Sequence, residues 1–327
     1  MVNWSGTALH VVSGKGGAGK TTVAAALAIN LARDGKRTLL LEVEGRQGIA
    51  QLFDTPPLPY EERRIAIAPG DGEVWALAVD ADDALIDYLA TFYNLGRAGS
   101  ALRKMGAIDF ATTLAPGLRD VLLTGKACEL VRRKIKRTAN AYDAVVIDAP
   151  PTGRIAQFLN VTAQVSSLAK TGPIHRHAEM VMGVISSPQT AVHLVTLLEE
   201  MPVQETIDGI HELQRVNLPT GAIFVNMTRN PILDEKQSAK VRKGTLAIKK
   251  ISEVAIDAGI RQPVDVLVEG LLREANDHVV RADLETRERV RIDELQIPTI
   301  TLPYLTRGID LGSLYALAEV MYDEGVR

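Results

Sequence analysis

The chain lacks three things that would narrow its class at once: paired cysteines, an excess of one charge and a long apolar run. Cys128 is the one cysteine in 327 residues, so no intrachain disulfide can form, which agrees with a reducing cytoplasm. Basic residues number 37 against 40 acidic, a formal charge of −3. That balance provides no overall attraction to nucleic acid or acidic membranes, and no nucleic-acid partner is expected. No run reaches the roughly 18 apolar residues of a membrane-spanning helix. Met1–Ala8 contain no basic start followed by a long apolar stretch. A cytoplasmic location is the expectation. The 46% of hydrophobic residues is enough for a substantial core.

Short apolar runs alternate with longer periodic segments, the pattern of strands joined by crossover helices. The runs are "ALHVVSG", "RTLLLEV", "VWALAVD", "DAVVIDA", "HLVTLLE", "GAIFVNM" and "PTITLP". Several are apolar at consecutive positions, as in strands covered by helices on both faces. The expected fold is α/β, a mostly parallel, doubly wound sheet. Residues 81–138 and 154–187 read as helical insertions. Neither is flanked by a Gly/Ser/Pro-rich linker, so residues 1–327 are expected to form a single domain.

Between the first run and a helix starting near Lys20, the sequence "GKGGAGKTT" fits G-x-x-x-x-G-K-[ST] at Gly14, Gly19, Lys20 and Thr21. Glycines let the backbone amides of such a loop approach phosphates, and the helix adds its positive end. Gly14, Gly16, Gly17, Ala18, Gly19, Lys20, Thr21 and Thr22 are therefore candidate nucleotide contacts. Lys20 would neutralise the β and γ phosphates, and Thr21 is placed for magnesium, so the expected sheet is of the P-loop NTPase type and residues 1–327 are expected to form a single P-loop ATPase domain. A second lysine, Lys15, has no role in such a cradle beyond that of a solvated loop residue.

The loop resembles the deviant Walker A loop of the family that contains the arsenite-pump ATPase ArsA, the tail-anchored-protein targeting ATPases, septum-positioning and plasmid-partition ATPases and the nitrogenase iron protein. The resemblance implies that Lys15 reaches across a dimer interface to the partner's nucleotide, as an arginine finger does. The segment "VVIDAPPTG" brings Asp148 to the end of a strand, where it can hold magnesium, and is similar to the D-x-A-P-T-G switch of the arsenite-pump and targeting branch. Pro151, Thr152 and Gly153 match, and Pro150 replaces the alanine. Gly153 suits a switch whose amide turns toward a γ phosphate.

Where the family has D-P-A, this chain has Glu44, Gly45 and Arg46. By that alignment Glu44 would orient the attacking water; Glu42 is its rival, and an exposed acidic pair is the plain alternative. Asn226 stands where the family contacts adenine, and "LPYLTRGIDLGSL" is similar to the later adenine loop. Its matches include Leu302, Pro303, Arg307 and Gly308, with Leu305 replacing a glutamate. Arg229 carries donors only, so it cannot read guanine as an aspartate does. ATP and magnesium are the expected cofactors.

With Cys128 alone, arsenite capture by thiolates, a shared zinc and a shared iron–sulfur cluster are all disfavoured. His175 and His177 read as a surface pair. Methionine and apolar residues in "HAEMVMGVI" and "DALIDYLATFYNLG" would either pack the helical subdomain or meet an apolar protein client or membrane partner. The acidic end "LYALAEVMYDEGVR" weakens a surface-binding partition ATPase. Together with "EEMPVQET" these features resemble ArsA-type ATPases of actinobacteria. That resemblance implies a homodimer, or a heterodimer with a paralogous ATPase subunit, hydrolysing ATP with Lys15, Lys20 and Glu44 as catalytic residues. The alternative is a nucleotide-gated scaffold with negligible turnover.

Overall fold

A computed structural model describes residues 4, 6–93, 117–135, 141–160, 173–260, 263–306 and 308–326. Arg307, residues 94–116 and 136–138 of the first insertion, 161–172 of the second, and 1–3 and 5 at the start lie outside the described residues.

Eight strands form one sheet: β1 (Leu9–Gly14), β2 (Arg37–Glu42), β3 (Arg63–Ala68), β4 (Gly72–Ala78), β5 (Ala144–Asp148), β6 (Thr190–Thr196), β7 (Thr220–Thr228) and β8 (Thr299–Pro303). The spatial order is β3-β4-β2-β5-β1-β6-β7-β8. Every neighbouring pair is parallel except β3 and β4. Register sets Val12 beside Asp148, Gly14 beside Val195 and Glu42 beside Asp148. The carboxyl ends of β1, β2 and β5 thereby meet at one edge, where ligands bind in open α/β sheets.

Alternation along the strands divides the core in two. Leu39, Leu41, Val145 and Ile147 face one cluster, shared with α3 (Ala81–Tyr93), α4 (Leu118–Ile135), α5 (Thr152–Leu159) and α6 (Pro173–Ile185). Leu40, Val146, Val195 and Phe224 face the other, shared with α1 (Lys20–Leu31), α2 (Gly48–Leu52) and α11 (Leu311–Asp323). Helix α1 is buried on nearly all sides from Val23 to Asn30, because α11 covers the face turned away from the sheet. Helix α7 (Glu200–Arg215) follows β6, and α8 (Glu235–Arg242), α9 (Ile248–Asp257) and α10 (Val264–Asp293) lie between β7 and β8. No helix among the described residues is long and apolar enough to cross a membrane.

Two details depart from the sequence reading. Strand β3, "RRIAIA", is an antiparallel edge strand whose arginines and alanines dilute the apolar signal. The run "HLVTLLE" forms β6 three residues earlier, at Thr190–Thr196, where small polar Thr190 is buried and Leu197–Glu199 already lead into α7.

At the centre, His10 of β1 and His193 of β6 are fully buried and stacked, with Trp4 packed on both rings. Gly221 makes room, since a Cβ there would come within 2.5 Å of His193 Nδ1. The Ala222 amide donates to His193 Nδ1 at 3.0 Å, so the Nε2 proton of His193 donates to His10 Nδ1 at 3.1 Å. Both rings are neutral in this arrangement. Burial brings His10 down to about 4, against a hydrogen bond to Thr7 that raises it, and burial plus the neighbouring ring lowers His193 well below the usual histidine value. The folded state binds fewer protons than the unfolded one below the free-histidine range, so stability present above pH ~6.5 is lost as pH falls toward about 4. Between pH 7.5 and 5.5 each of the two depressed histidines should cost about 1 kcal/mol in denaturant unfolding, partly offset by Asp148, whose raised value favours proton uptake by the fold in that range. His10→Gln should halve the histidine part of that loss; an equally steep profile in the variant would contradict the assignment.

Candidate functional site

The loop after β1 is shaped by glycines that the packing requires. A Cβ on Gly14 would lie 2.3 Å from the carbonyl oxygen of Val195. Gly17 and Gly19 have φ of 86° and 89°, in the left-handed region. A Cβ on Gly19 would fall 2.4 Å from Asn226 Nδ2, the same nitrogen that donates to the Ala18 carbonyl at 2.9 Å. Asn226, reached from β7, thus braces the loop. Beneath it, Ser13 Oγ donates to the Pro150 carbonyl at 2.6 Å and ties the loop to the turn after β5. Helix α1 begins at Lys20, so its unpaired first amides open toward the loop.

Lys20 is 8% exposed and makes no ion pair among the described residues. Beside it, Thr21 Oγ1 donates to Asp148 Oδ2 at 2.7 Å. The other oxygen, Asp148 Oδ1, is buried without a hydrogen-bond partner, as is Thr152 Oγ1 at the start of α5. Burial raises Asp148 to about 6; the Thr21 hydrogen bond and Lys20 pull it down, and Glu42 and Glu44 push it up. A buried carboxylate with a free oxygen next to a hydroxyl fits magnesium, which is commonly held by one or two protein oxygens together with phosphate and water.

The two rival glutamates have different surroundings. Glu42, 2% exposed, accepts from the amides of Gln47 and, at 3.2 Å, Ile49. Both its oxygens hold the turn into α2, so it shapes the edge rather than facing a reactant. That turn reaches the loop, where a Cβ on Gly48 would touch Thr21 Cγ2 at 3.4 Å. Glu44 is half-buried, and its one ion pair among the described residues is Arg46 at 3.6 Å. Lys15 pairs within its own chain, to Glu205 of α7 at 3.1 Å. Gly153 is the second residue of α5, with open space around a Cβ.

On the other side of the loop, a cavity of about 350 Å³ is lined by Leu197, Asn226, Met227, Arg229, Leu284 and Tyr304, among others. Met227, directly after Asn226, has a φ of 57° where the pairing of β7 with β8 shifts register. The Arg229 guanidinium lies over the Tyr304 ring at 4.4 Å. Of the later loop, Tyr304 faces this cavity; Pro303 ends β8 at the surface, and Leu305 packs on the α1 and α11 core. Sequence reasoning passed over Tyr304, although it lies between two motif positions. It also gave no role to Glu205, although that residue lies within "EEMPVQET", and passed over Leu284, which no motif marks.

Away from the edge, Cys128 is buried and its thiol is pushed up to about 12 by burial. His175 faces Glu179 at 3.4 Å. His177, read from sequence as part of a surface pair, instead packs inward against Tyr88 at 5.2 Å and over Gly125. No group of three or more His, Cys, Asp or Glu side chains suited to a metal ion occurs among the described residues. Met180 and Met182 are partly buried against the helical cluster.

Comparison with known proteins gives the lineage. Residues 7–187 match the ArsA-type family described as anion-transporting ATPases. The chain is 52% identical over 323 residues to ATPase BagA of Mycobacterium tuberculosis, covering 99% of this chain and 95% of that protein. It is 24% identical to the arsenical pump-driving ATPase of Acidiphilium multivorum, over 92% of this chain and 52% of that protein. Identity to ATPase GET3 of Kluyveromyces lactis is also 24%, over 70% of this chain and 74% of that protein. With the loop and switch motif in place and a mycobacterial relative this similar, the chain belongs to the ArsA-type ATPase family, in a subgroup that fits an actinobacterial origin.

Proposed function

We propose that the chain forms one ATPase domain that binds ATP with magnesium in the loop after β1 and hydrolyses it as half of a two-subunit switch. The observation that carries this reading is the Thr21–Asp148 hydrogen bond with its free buried oxygen, set under a glycine loop beside a buried lysine. In this reading the loop amides and Lys20 hold the β and γ phosphates, and the positive end of α1 adds to their field. Thr21 and Asp148 hold magnesium, which when bound neutralises phosphate charge. Glu44 accepts a hydrogen bond from water and aims it, while Glu42 keeps the turn in place.

The base enters the cavity beside Asn226 and Tyr304. Arg229 offers only donors there, so it cannot accept from guanine's N1 and N2 groups as an aspartate would. Gly153 and Thr152 sense the terminal phosphate at the start of α5, and Lys15 of one subunit reaches the other subunit's nucleotide. The second subunit is a copy or a paralogue. An apolar or membrane-protein client would meet only the exposed part of Met180 and Met182, which are partly buried against the helical cluster.

Two substitutions divide binding from turnover. Lys15→Ala should keep ATP affinity within about twofold and lower turnover by roughly a hundredfold or more, as loss of a trans-acting cation does. Unchanged turnover removes Lys15 from the reaction. Glu44→Gln should bind ATP as the parent does and hydrolyse it about a hundredfold more slowly, the scale of a lost general base. Phosphate release at the parent's rate assigns water positioning elsewhere, and negligible release by the parent itself favours a nucleotide-gated scaffold.

A further inference from the structure

Lys15 is engaged in the single chain by a contact that no sequence motif accounts for. Its ammonium lies 3.1 Å from Glu205 Oε1, with the two side chains 31% and 37% exposed. Glu205 stands on the second turn of α7, whose first residues Glu200, Met201 and Pro202 border a cleft with Lys15, Gly16 and Gly17. One turn further along the same face, Gly209 abuts the switch: a Cβ there would fall 2.3 Å from Thr152 Cγ2. A single helix therefore touches the loop lysine at one position and the first residue of α5 at the next turn.

We propose that Glu205 is a positioning residue for Lys15, holding it in its own subunit until a partner's nucleotide draws it away, with α7 carrying the state of Thr152 to that contact. The inference rests on Lys15 acting across a dimer. The physical basis is competition: a carboxylate satisfies Lys15 in the lone chain, and a more highly charged triphosphate replaces it when two chains meet. A partly exposed ion pair of this kind is modest in strength, so the latch biases the equilibrium and releases readily.

The test is ATP turnover as a function of protein concentration for the parent, Glu205→Gln, Lys15→Ala and the double variant. Glu205→Gln should lower the concentration of half-maximal turnover by about two- to fivefold, the range a partly exposed pair carries, with the plateau rate unchanged. In the Lys15→Ala background the same change should have no effect, which a merely structural role of Glu205 would not produce. An unshifted midpoint in Glu205→Gln, with Lys15→Ala still slow, overturns the latch and leaves the trans lysine standing. A raised midpoint or lowered plateau shows that Glu205 assists Lys15, and also overturns it. Full turnover by Lys15→Ala removes the underlying reading instead.

Discussion

The hydrogen bond from Thr21 to Asp148 joins the first turn of α1 to the end of β5, and the candidate site is arranged around it. It can form because β1 lies between β5 and β6, so the helix leaving β1 passes over the end of β5. One carboxylate oxygen is consumed and the other stays buried without a partner. An unpaired buried oxygen is costly in a folded protein, and such groups gather where a ligand completes them. In the function proposed above, the completing ligand is a magnesium ion beside the phosphates.

Electrostatics around that bond are divided by backbone geometry. Asp148, Glu42 and Glu44 stand close enough for both glutamates to raise Asp148. Three like charges at one edge would oppose one another. Amides at the entry to α2 absorb Glu42, Lys20 and Thr21 temper Asp148, and Glu44 keeps a weak contact with Arg46. Of the three carboxylates, Glu44 is the one left with freedom to meet a reactant. The lysines divide in the same way: Lys20 is enclosed by the loop, and Lys15 is held outside it by Glu205.

Much of this was legible in the sequence where a local rule decides the structure. Consecutive apolar residues such as Leu39, Leu40 and Leu41 signal a strand buried on both sides, and both faces are covered. The glycine spacing located the loop, because only glycine accepts the contact of Gly14 with Val195 or the φ of Gly19. Edge strand β3 was hidden because one covered face leaves a weaker pattern. Residues 235–257 form the largely exposed α8 and α9, and α10 after them brings Leu284 to the cavity beside Asn226, a placement that local pattern does not encode. Glu205 and Tyr304 owe their places to tertiary packing, which spacing does not encode. Spacing likewise left Glu42 and Glu44 as rivals, because it does not encode that the amides of Gln47 and Ile49 occupy both oxygens of the first.

The most direct measurement is calorimetric titration of the full chain with ATP, with and without magnesium, for the parent and for Asp148→Asn. The account predicts that magnesium tightens ATP binding at least about tenfold in the parent, by the oxygen-donor chemistry of such sites, and that Asp148→Asn loses most of this gain. Absence of ATP binding, or one affinity in all four titrations, would contradict it.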